Sequence, residues 1–142
     1  MIPEDILAHP ARVLSHDQRQ HYFDHGYVSV PGFVPPDMLA ELQTVTAEFL
    51  DKSRAQTESD DNYDIGPGHS ADTPVLRRLK SPDDQHPAYW NFANGLLADV
   101  AADLVGPNVT FHHSKLNFKW FDESDTVKWH QDIQFFPHTN YN

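Results

Sequence analysis

The chain has 142 residues, about the length of one ordinary domain, so it can bury a hydrophobic core without disulfides or structural metals. Its net charge of −11 disfavours nucleic acid and anionic membrane surfaces as partners and favours a small-molecule substrate. It contains no Cys, which excludes thiolate catalysis, iron–sulfur clusters, Cys-ligated zinc and disulfides. Because no signal peptide or membrane-length apolar run is found, a cytoplasmic location is expected, and the oligomeric state is left open.

The first predicted helix covers residues 16–25. Ser15 followed by Gln18 matches a capping box, in which each residue satisfies a backbone N–H of the other. Gly26 stands where a left-handed residue commonly ends a helix. The next residues, 27–30, are predicted to form a short strand.

A second helix is predicted from Pro36 to about Arg54, because its apolar side chains recur every three or four residues. The following segment, 56–74, is polar and acidic, with Gly66-Pro67-Gly68 at its centre. It is long for a passive connection, and two interpretations stay open: a solvated loop, or a lid over a site.

The remaining elements change from helix to strand. A short strand is predicted for 75–79, and two helical pieces for about 86–94 and 95–105. Residues 109–121 and 127–136 are rich in β-branched and aromatic side chains and are predicted to form strands. The order indicates an α+β protein in which helices come first and a sheet last.

The sequence Trp129-His130-Gln131-Asp132 contains an imidazole and a carboxylate two residues apart. If 127–136 is a strand, His130 and Asp132 project from one face and can chelate a metal ion, forming two-thirds of a facial triad. Trp129 and other aromatic neighbours could keep water away from such an ion. A structural His–Asp hydrogen bond is the alternative.

The preceding segment alternates polar and apolar side chains with the period of a strand. One face carries Lys115, Asn117 and Lys119, and the other carries Leu116, Phe118 and Trp120. Ammonium and amide groups both donate to carboxylates, so the polar face is a candidate anion site. The alternative is a solvated outer face over buried aromatic residues.

Together, four ordered segments resemble one family: 14–18, 25–33, 114–119 and 129–132. The chain is similar to the phytanoyl-CoA dioxygenase family of non-haem Fe(II)- and 2-oxoglutarate-dependent oxygenases, which includes ectoine hydroxylases. The resemblance runs along nearly the whole chain but covers only the N-terminal half of such a protein. Residues 1–142 are therefore expected to be part of a single domain.

The resemblance implies N-terminal helices plus the first strands of a double-stranded β-helix, a cupin-like jelly-roll that is incomplete here. It implies that His130 and Asp132 are iron ligands. It also implies that Lys119 and Asn117 lie near the 2-oxoglutarate carboxylates, with Arg78 as a second basic contact. The implied cofactors are Fe(II), 2-oxoglutarate and O2, with ascorbate as a possible activator.

Two features of the family are missing: a later His as third iron ligand, and an Arg beyond it that clamps 2-oxoglutarate. All five Arg precede the His–Asp pair. His138 could replace the missing ligand only after a chain reversal, and His112 or His113 only in a favourable strand register. The simplest interpretation is that the chain ends mid-domain, so that by itself it is inactive.

The function implied for the intact protein is hydroxylation of a small organic substrate at an unactivated C–H bond. Asp132 occupies the coordination position that halogenating relatives leave open for chloride, which favours hydroxylation over halogenation. One alternative is a non-catalytic half-domain or binding module completed by a partner chain. Another is a cupin-like metal site of different chemistry, such as hydrolysis or isomerisation. The substrate itself is not identified by the sequence.

Overall fold

The computed structural model describes residues 2–120 and 128–132, and within them the chain is α+β, as the sequence predicts. The helices are α1 (Pro3–Ala8), α2 (His16–His25), α3 (Pro36–Ser53), α4 (Pro82–Gln85), α5 (Pro87–Phe92) and α6 (Ala98–Val105), with a π-helical turn (Ala93–Leu97) joining the last two. The strands are β1 (Tyr63–Ile65), β2 (Leu76–Lys80) and β3 (Lys115–Asn117). Within the described residues, no helix is long and apolar enough to cross a membrane.

The three strands form an antiparallel sheet in the order β1-β2-β3, so β2 pairs on both edges. Asp64 pairs with Arg78 but Ile65 pairs with Leu76, which leaves Arg77 as an extra residue in β2. Such a bulge shifts the alternation of side chains by one position. As a result Leu76 and Leu79, three residues apart, are both fully buried.

The core lies between α3 and this sheet. Its buried members are Val45, Phe49, Tyr63, Leu76, Leu79 and Ala88. Leu116 and Phe118 pack against the same cluster, so β3 and the residues after it are also attached through their apolar side. Burial of apolar surface here stabilises the sheet by about 25 cal/mol per Å² removed from water.

A second buried contact attaches α1 and α2 to α6. The Asp103 carboxylate, on a residue 2% exposed, accepts the backbone N–H groups of Arg12, Val13 and Leu14 at 2.8 to 2.9 Å. Buried Arg19 donates from Nε to the Asp103 carbonyl at 3.0 Å, and from its terminal nitrogens to the carbonyls of His9 and Ile6. Because each of these buried polar groups is paired, the contact fixes the N-terminal helices in place.

The helix predictions are confirmed. The capping box of Ser15 and Gln18 is present, and Gly26 ends α2 with φ of 79°. The helix predicted from Pro36 is α3. The two pieces predicted for 86–105 are α5, the π-helical turn and α6, which follow one another without a break.

The strand predicted for 75–79 is confirmed as β2, whereas the other three strand predictions fail in whole or in part among the described residues. Residues 121, 127 and 133–136 of these predictions lie outside the described residues. Residues 27–30 form no strand, and only 115–117 of the predicted 109–121 segment does so among the described residues. Residues 128–132 are also not a strand. A segment with strand-like composition becomes a strand only where a neighbouring strand completes its backbone hydrogen bonds. Whether such a neighbour is present depends on the tertiary structure.

The 56–74 segment is more ordered than the solvated loop or the lid that the sequence suggests. It contains β1, and the Arg54 guanidinium donates to the carbonyls of Ala71 and Asp72. The His69 ring bridges two elements: Nε2 donates to the Ser53 carbonyl at 3.0 Å, and Nδ1 accepts the Val75 N–H at 2.9 Å. These bonds attach the segment to the end of α3 and the start of β2.

Asp103→Asn should lower the free energy of unfolding at pH 7 by about 2–4 kcal/mol, because the three backbone donors lose a charged acceptor. Burial acts to raise the pKa of Asp103, but the N–H groups of residues 12–14 and the Arg19 charge outweigh it and lower this pKa. The carboxylate therefore stabilises the fold fully above the unfolded pKa of about 3.9, and this contribution is lost as the pH falls through the lower folded value.

Urea unfolding of both proteins between pH 2.5 and 7 measures this difference. Asp99→Asn is the matched control on the same helix, since its ion pair with Arg12 is exposed at 45% and 42% and should contribute about 0.5 kcal/mol or less. Equal destabilisation by both variants would show that the buried network has no special role.

Candidate functional site

The polar face of the sheet carries several cationic side chains. Arg78 and Lys80 of β2 are cross-strand neighbours of Asn117 and Lys115 of β3, respectively. From 115 to 120 the odd-numbered residues are exposed and the even-numbered residues are partly buried, which confirms the predicted alternation. The face opposite the core is therefore basic in a chain whose net charge is −11.

Arg78 and Asn117, both predicted from the sequence, are brought together. Arg78 Nε donates to Asn117 Oδ1 at 3.1 Å. This bond turns the amide oxygen toward the guanidinium and leaves the Asn117 NH₂ group as a donor for another acceptor. An Arg–Asn pair arranged in this way can present several N–H groups to one carboxylate.

Asp64 partly neutralises this cationic face, and sequence analysis does not find it. Asp64 Oδ2 lies 3.8 Å from Arg78 Nη1, and its Oδ1 lies 4.0 Å from Arg77 Nη1. Its position follows from β1, which the sequence assigns to a loop. Lys80 is also missed, although its alternation with Arg78 along β2 is a signal that could have found it.

Lys119 lies beyond the end of β3 but is held beside β2 by its neighbours. The Phe118 N–H donates to the Arg77 carbonyl at 2.9 Å, and Trp120 Nε1 donates to the Leu76 carbonyl at 2.8 Å. Because the residues on both sides of Lys119 bond to β2, the backbone there is fixed. The exposed Lys119 side chain then follows the same alternation as Lys115 and Asn117.

His130 and Asp132 meet, although not on a strand. His130 Nε2 lies 3.0 Å from Asp132 Oδ1, and His130 Nδ1 donates to the Lys128 carbonyl at 2.7 Å. The prediction that the pair shares a strand face is wrong for the described residues 128–132. The proximity arises instead within a short non-strand segment, in which the His130 ring also contacts the Lys128 carbonyl.

The separation of these two side chains suits a metal ion. Two ligands at adjacent positions of an octahedral ion with bonds of about 2.1 Å lie about 3.0 Å apart, close to the observed Nε2–Oδ1 distance. A ring that donates Nδ1–H to a carbonyl directs the lone pair of Nε2 toward the ion, as ligating His residues usually do.

A third metal ligand is not found in residues 2–120 and 128–132, where no group of three or more His, Asp or Glu is arranged to hold an ion. His112 and His113 contact each other, with 2.6 Å between their Nδ1 atoms. His138 lies outside the described residues. Among the described residues, the predicted pair of His130 and Asp132 therefore has no third candidate ligand beside it.

An apolar hollow of about 590 Å³ lies beside β3, the strand that carries Lys115 and Asn117. Its walls come from α3, α5, the π-helical turn and β3, including Leu42, Tyr89, Leu97 and Leu116. Sequence patterns do not reveal it, because each wall belongs to a different element. A hollow of this size can accommodate a small organic group.

Comparison with known proteins gives two matches to the sequence. The model of the family described as Phytanoyl-CoA dioxygenase (PhyH) matches residues 22–142. A curated relative, the "Probable alpha-ketoglutarate-dependent hypophosphite dioxygenase" of Stutzerimonas stutzeri, is 26% identical over 129 residues. This alignment covers 87% of the chain but only 43% of that relative's length. No solved structure matches the chain.

Asp64→Asn should strengthen binding of a small dicarboxylate to the basic sheet face, because it removes the carboxylate beside Arg77 and Arg78. A charge about 4 Å away in a solvated site contributes about 1 kcal/mol, so the affinity should rise roughly fivefold. Arg78→Met should weaken binding, because it removes the side chain that orients the Asn117 amide together with one positive charge. Calorimetric titration measures both effects.

Asp51→Asn is the matched control, since it makes the same change in net charge at an exposed position of α3. An equal gain in that variant would mean that only the overall charge matters.

Proposed function

Because the chain belongs to the phytanoyl-CoA dioxygenase family, we propose that it is the N-terminal part of an Fe(II)- and 2-oxoglutarate-dependent dioxygenase. The reaction proposed is hydroxylation of a small organic substrate at an unactivated C–H bond. The relative is named as dependent on alpha-ketoglutarate, which is 2-oxoglutarate, and this supports the choice of cosubstrate. Since the chain spans 43% of the length of that relative, the activity is proposed for the longer protein.

The observation that carries this proposal is the contact between His130 and Asp132. Their 3.0 Å separation and the hydrogen bond from His130 Nδ1 to the Lys128 carbonyl fit two adjacent ligands of one ion. An imidazole and a carboxylate are a ligand pair suited to non-haem iron with open positions for other ligands. A His–Asp hydrogen bond of purely structural value would ordinarily be buried, whereas Asp132 is 72% exposed.

Iron held there would supply the redox chemistry, in which one oxygen atom of O2 would enter succinate as CO2 leaves 2-oxoglutarate and the other would enter the C–H bond. The chain would contribute by holding the ion and the cosubstrate in a fixed relation. His130 and Asp132 would hold the ion through an imidazole nitrogen and a carboxylate oxygen. A carboxylate at position 132, where halogenating relatives lack one, supports hydroxylation over halogenation.

The 2-oxoglutarate carboxylates are proposed to bind on the basic sheet face. Lys119, fixed by the bonds of Phe118 and Trp120 to β2, supplies an ammonium, and Lys115 supplies a second one on the same strand. Asn117 supplies an NH₂ group oriented by Arg78. Because Asp64 faces Arg78, we infer that Arg78 acts mainly by orienting Asn117 and only secondarily as a charge.

The rest of the scheme lies beyond the described residues. We propose that the sheet continues into a double-stranded β-helix, and that a later His and a later Arg complete the iron site and clamp 2-oxoglutarate. The 142-residue chain alone should then not turn over 2-oxoglutarate, because residues 2–120 and 128–132 offer two grouped ligands and no Arg follows them in the sequence. Ascorbate is proposed as an activator that keeps iron reduced, and the protein is proposed to act in the cytoplasm.

His130→Ala should abolish Fe(II) binding by the intact protein and with it succinate formation, because one of two neighbouring ligands is removed. Anaerobic iron titration gives the affinity, and oxygen consumption with ¹⁸O₂ traced into succinate gives the reaction. His9→Ala, a solvent-exposed position outside the site, is the control and should change neither.

Unchanged iron affinity in His130→Ala would move the metal site elsewhere. Iron binding without oxygen consumption or succinate in the wild-type protein would indicate metal chemistry of another kind.

Lys119→Met should weaken 2-oxoglutarate binding by about tenfold and leave iron affinity intact, because an ammonium pairs with a carboxylate but cannot ligate iron while protonated. Lys52→Met, on α3, makes the same charge change away from the sheet face. Calorimetry with each ligand separates the two effects. A joint loss of both affinities in Lys119→Met would show that Lys119 is needed for the fold instead.

A further inference from the structure

His21 and His25 form a pair of imidazoles, one turn apart on α2, that the candidate site does not include. Their rings are stacked, with centroids 4.2 Å apart and an angle of 15° between the planes. Residues at i and i+4 lie on one face of a helix, and two His at this spacing can chelate one ion. His21 is partly buried and His25 is exposed, so the pair opens to solvent.

The His25 ring already makes, through Nδ1, a hydrogen bond of the kind that metal-binding imidazoles make. Its Nδ1 donates to the His21 carbonyl at 3.1 Å. This bond fixes the tautomer in which Nε2 carries the lone pair, and such a bond to a carbonyl is the usual partner of a ligating imidazole.

The helix itself holds the spacing without a ligand. The capping box of Ser15 and Gln18 fixes the start of α2, and left-handed Gly26 ends it one residue after His25. The Tyr27 ring packs edge-on against both imidazoles, with centroids 5.0 Å from His21 and 6.4 Å from His25. The helix therefore holds the two imidazoles at chelating spacing, and their rings are free of close packing on the solvent side.

The surroundings favour a hydrated cation. Asp17, one turn before His21, and Tyr27 line a hollow of about 440 Å³ beside the His21 ring. A carboxylate next to the imidazoles and the net charge of −11 both attract positive ions. Water molecules in the hollow can complete a coordination shell that two imidazoles leave open.

From these contacts we propose that His21 and His25 bind a divalent first-row transition metal ion through their Nε2 atoms. Bonds of about 2.0–2.1 Å require only that the stacked rings rotate until both nitrogens face the ion. Imidazole ligands favour Cu²⁺ over Ni²⁺ and Zn²⁺, and Fe²⁺ binds more weakly than these. The site is separate from the His130–Asp132 pair and does not depend on the dioxygenase proposal.

The test is titration of the 142-residue chain with Cu²⁺, in a His112→Gln, His113→Gln, His130→Ala background that removes the adjacent His pair and the His–Asp pair. His21→Gln and His25→Gln should each lower the affinity at least about tenfold. Electron paramagnetic resonance should count two imidazole nitrogens on the bound Cu²⁺ in the background protein and one in either variant. His16→Gln, an exposed position on the same helix with no His one turn away, is the matched control and should change neither result.

Zn²⁺ supplies a second measurement, since an ion that binds only the folded helix raises the midpoint of thermal unfolding. This rise should be lost in both variants and kept in His16→Gln. Unchanged Cu²⁺ affinity in His21→Gln and His25→Gln, with helix content intact by circular dichroism, would overturn the proposal. An equal loss in His16→Gln would also overturn it, because it would indicate unspecific binding by surface His residues.

Discussion

The pairing of β2 with strands on both sides, with one extra residue at Arg77, is the constraint on which the rest of the described structure depends. The bulge in the pairing with β1 places Leu76 and Leu79 together against α3. Gly66 sits beside this bulge with no room for a side chain, since a Cβ there would lie 2.8 Å from Val75 Cγ1. On its other edge β2 pairs with β3, and that register places Arg78 opposite Asn117. Core packing and the position of the basic face therefore both depend on how β2 pairs with its neighbours.

The N-terminal helices are attached by polar contacts instead of by a large apolar surface. The Asp103 carboxylate accepts three backbone N–H groups from the segment before α2. Arg19 donates to the carbonyls of Ile6 in α1, of His9 just after α1, and of Asp103 in α6. Both side chains are buried, so the energy of each depends on the other groups being in place. This makes the attachment specific, because no other position of α1 and α2 would pair the same groups.

Placing basic residues on neighbouring strands costs electrostatic energy, and the protein reduces that cost locally. Asp64 lies between Arg77 and Arg78, and the Lys80 ammonium donates to the Asp60 carbonyl. Lys115 and Lys119 are exposed, so water screens their charges. The face thus remains basic while the strands still pair.

The sequence alone determined features whose cause is local. The ends of α2, the apolar stripe of α3 and the alternation from Lys115 to Trp120 all depend on neighbouring residues and are confirmed. The family resemblance is confirmed as well, because ordered motifs persist where overall similarity is low. The iron-ligand and cosubstrate roles of individual residues remain predictions.

Only the tertiary structure decided which extended segments become strands. Residues 27–30, and the described part (128–132) of the segment 127–136, are predicted to be strands but do not form them, whereas Tyr63–Ile65 in the acidic segment does because β2 offers it a partner. The bulge at Arg77 and the position of Asp64 follow from that pairing. The contact between Arg78 and Asn117 joins residues 39 positions apart, and no local pattern specifies such a distance. Backbone hydrogen bonds between strands are satisfied by whichever segments the core brings together, so the register of a sheet is a property of the folded chain.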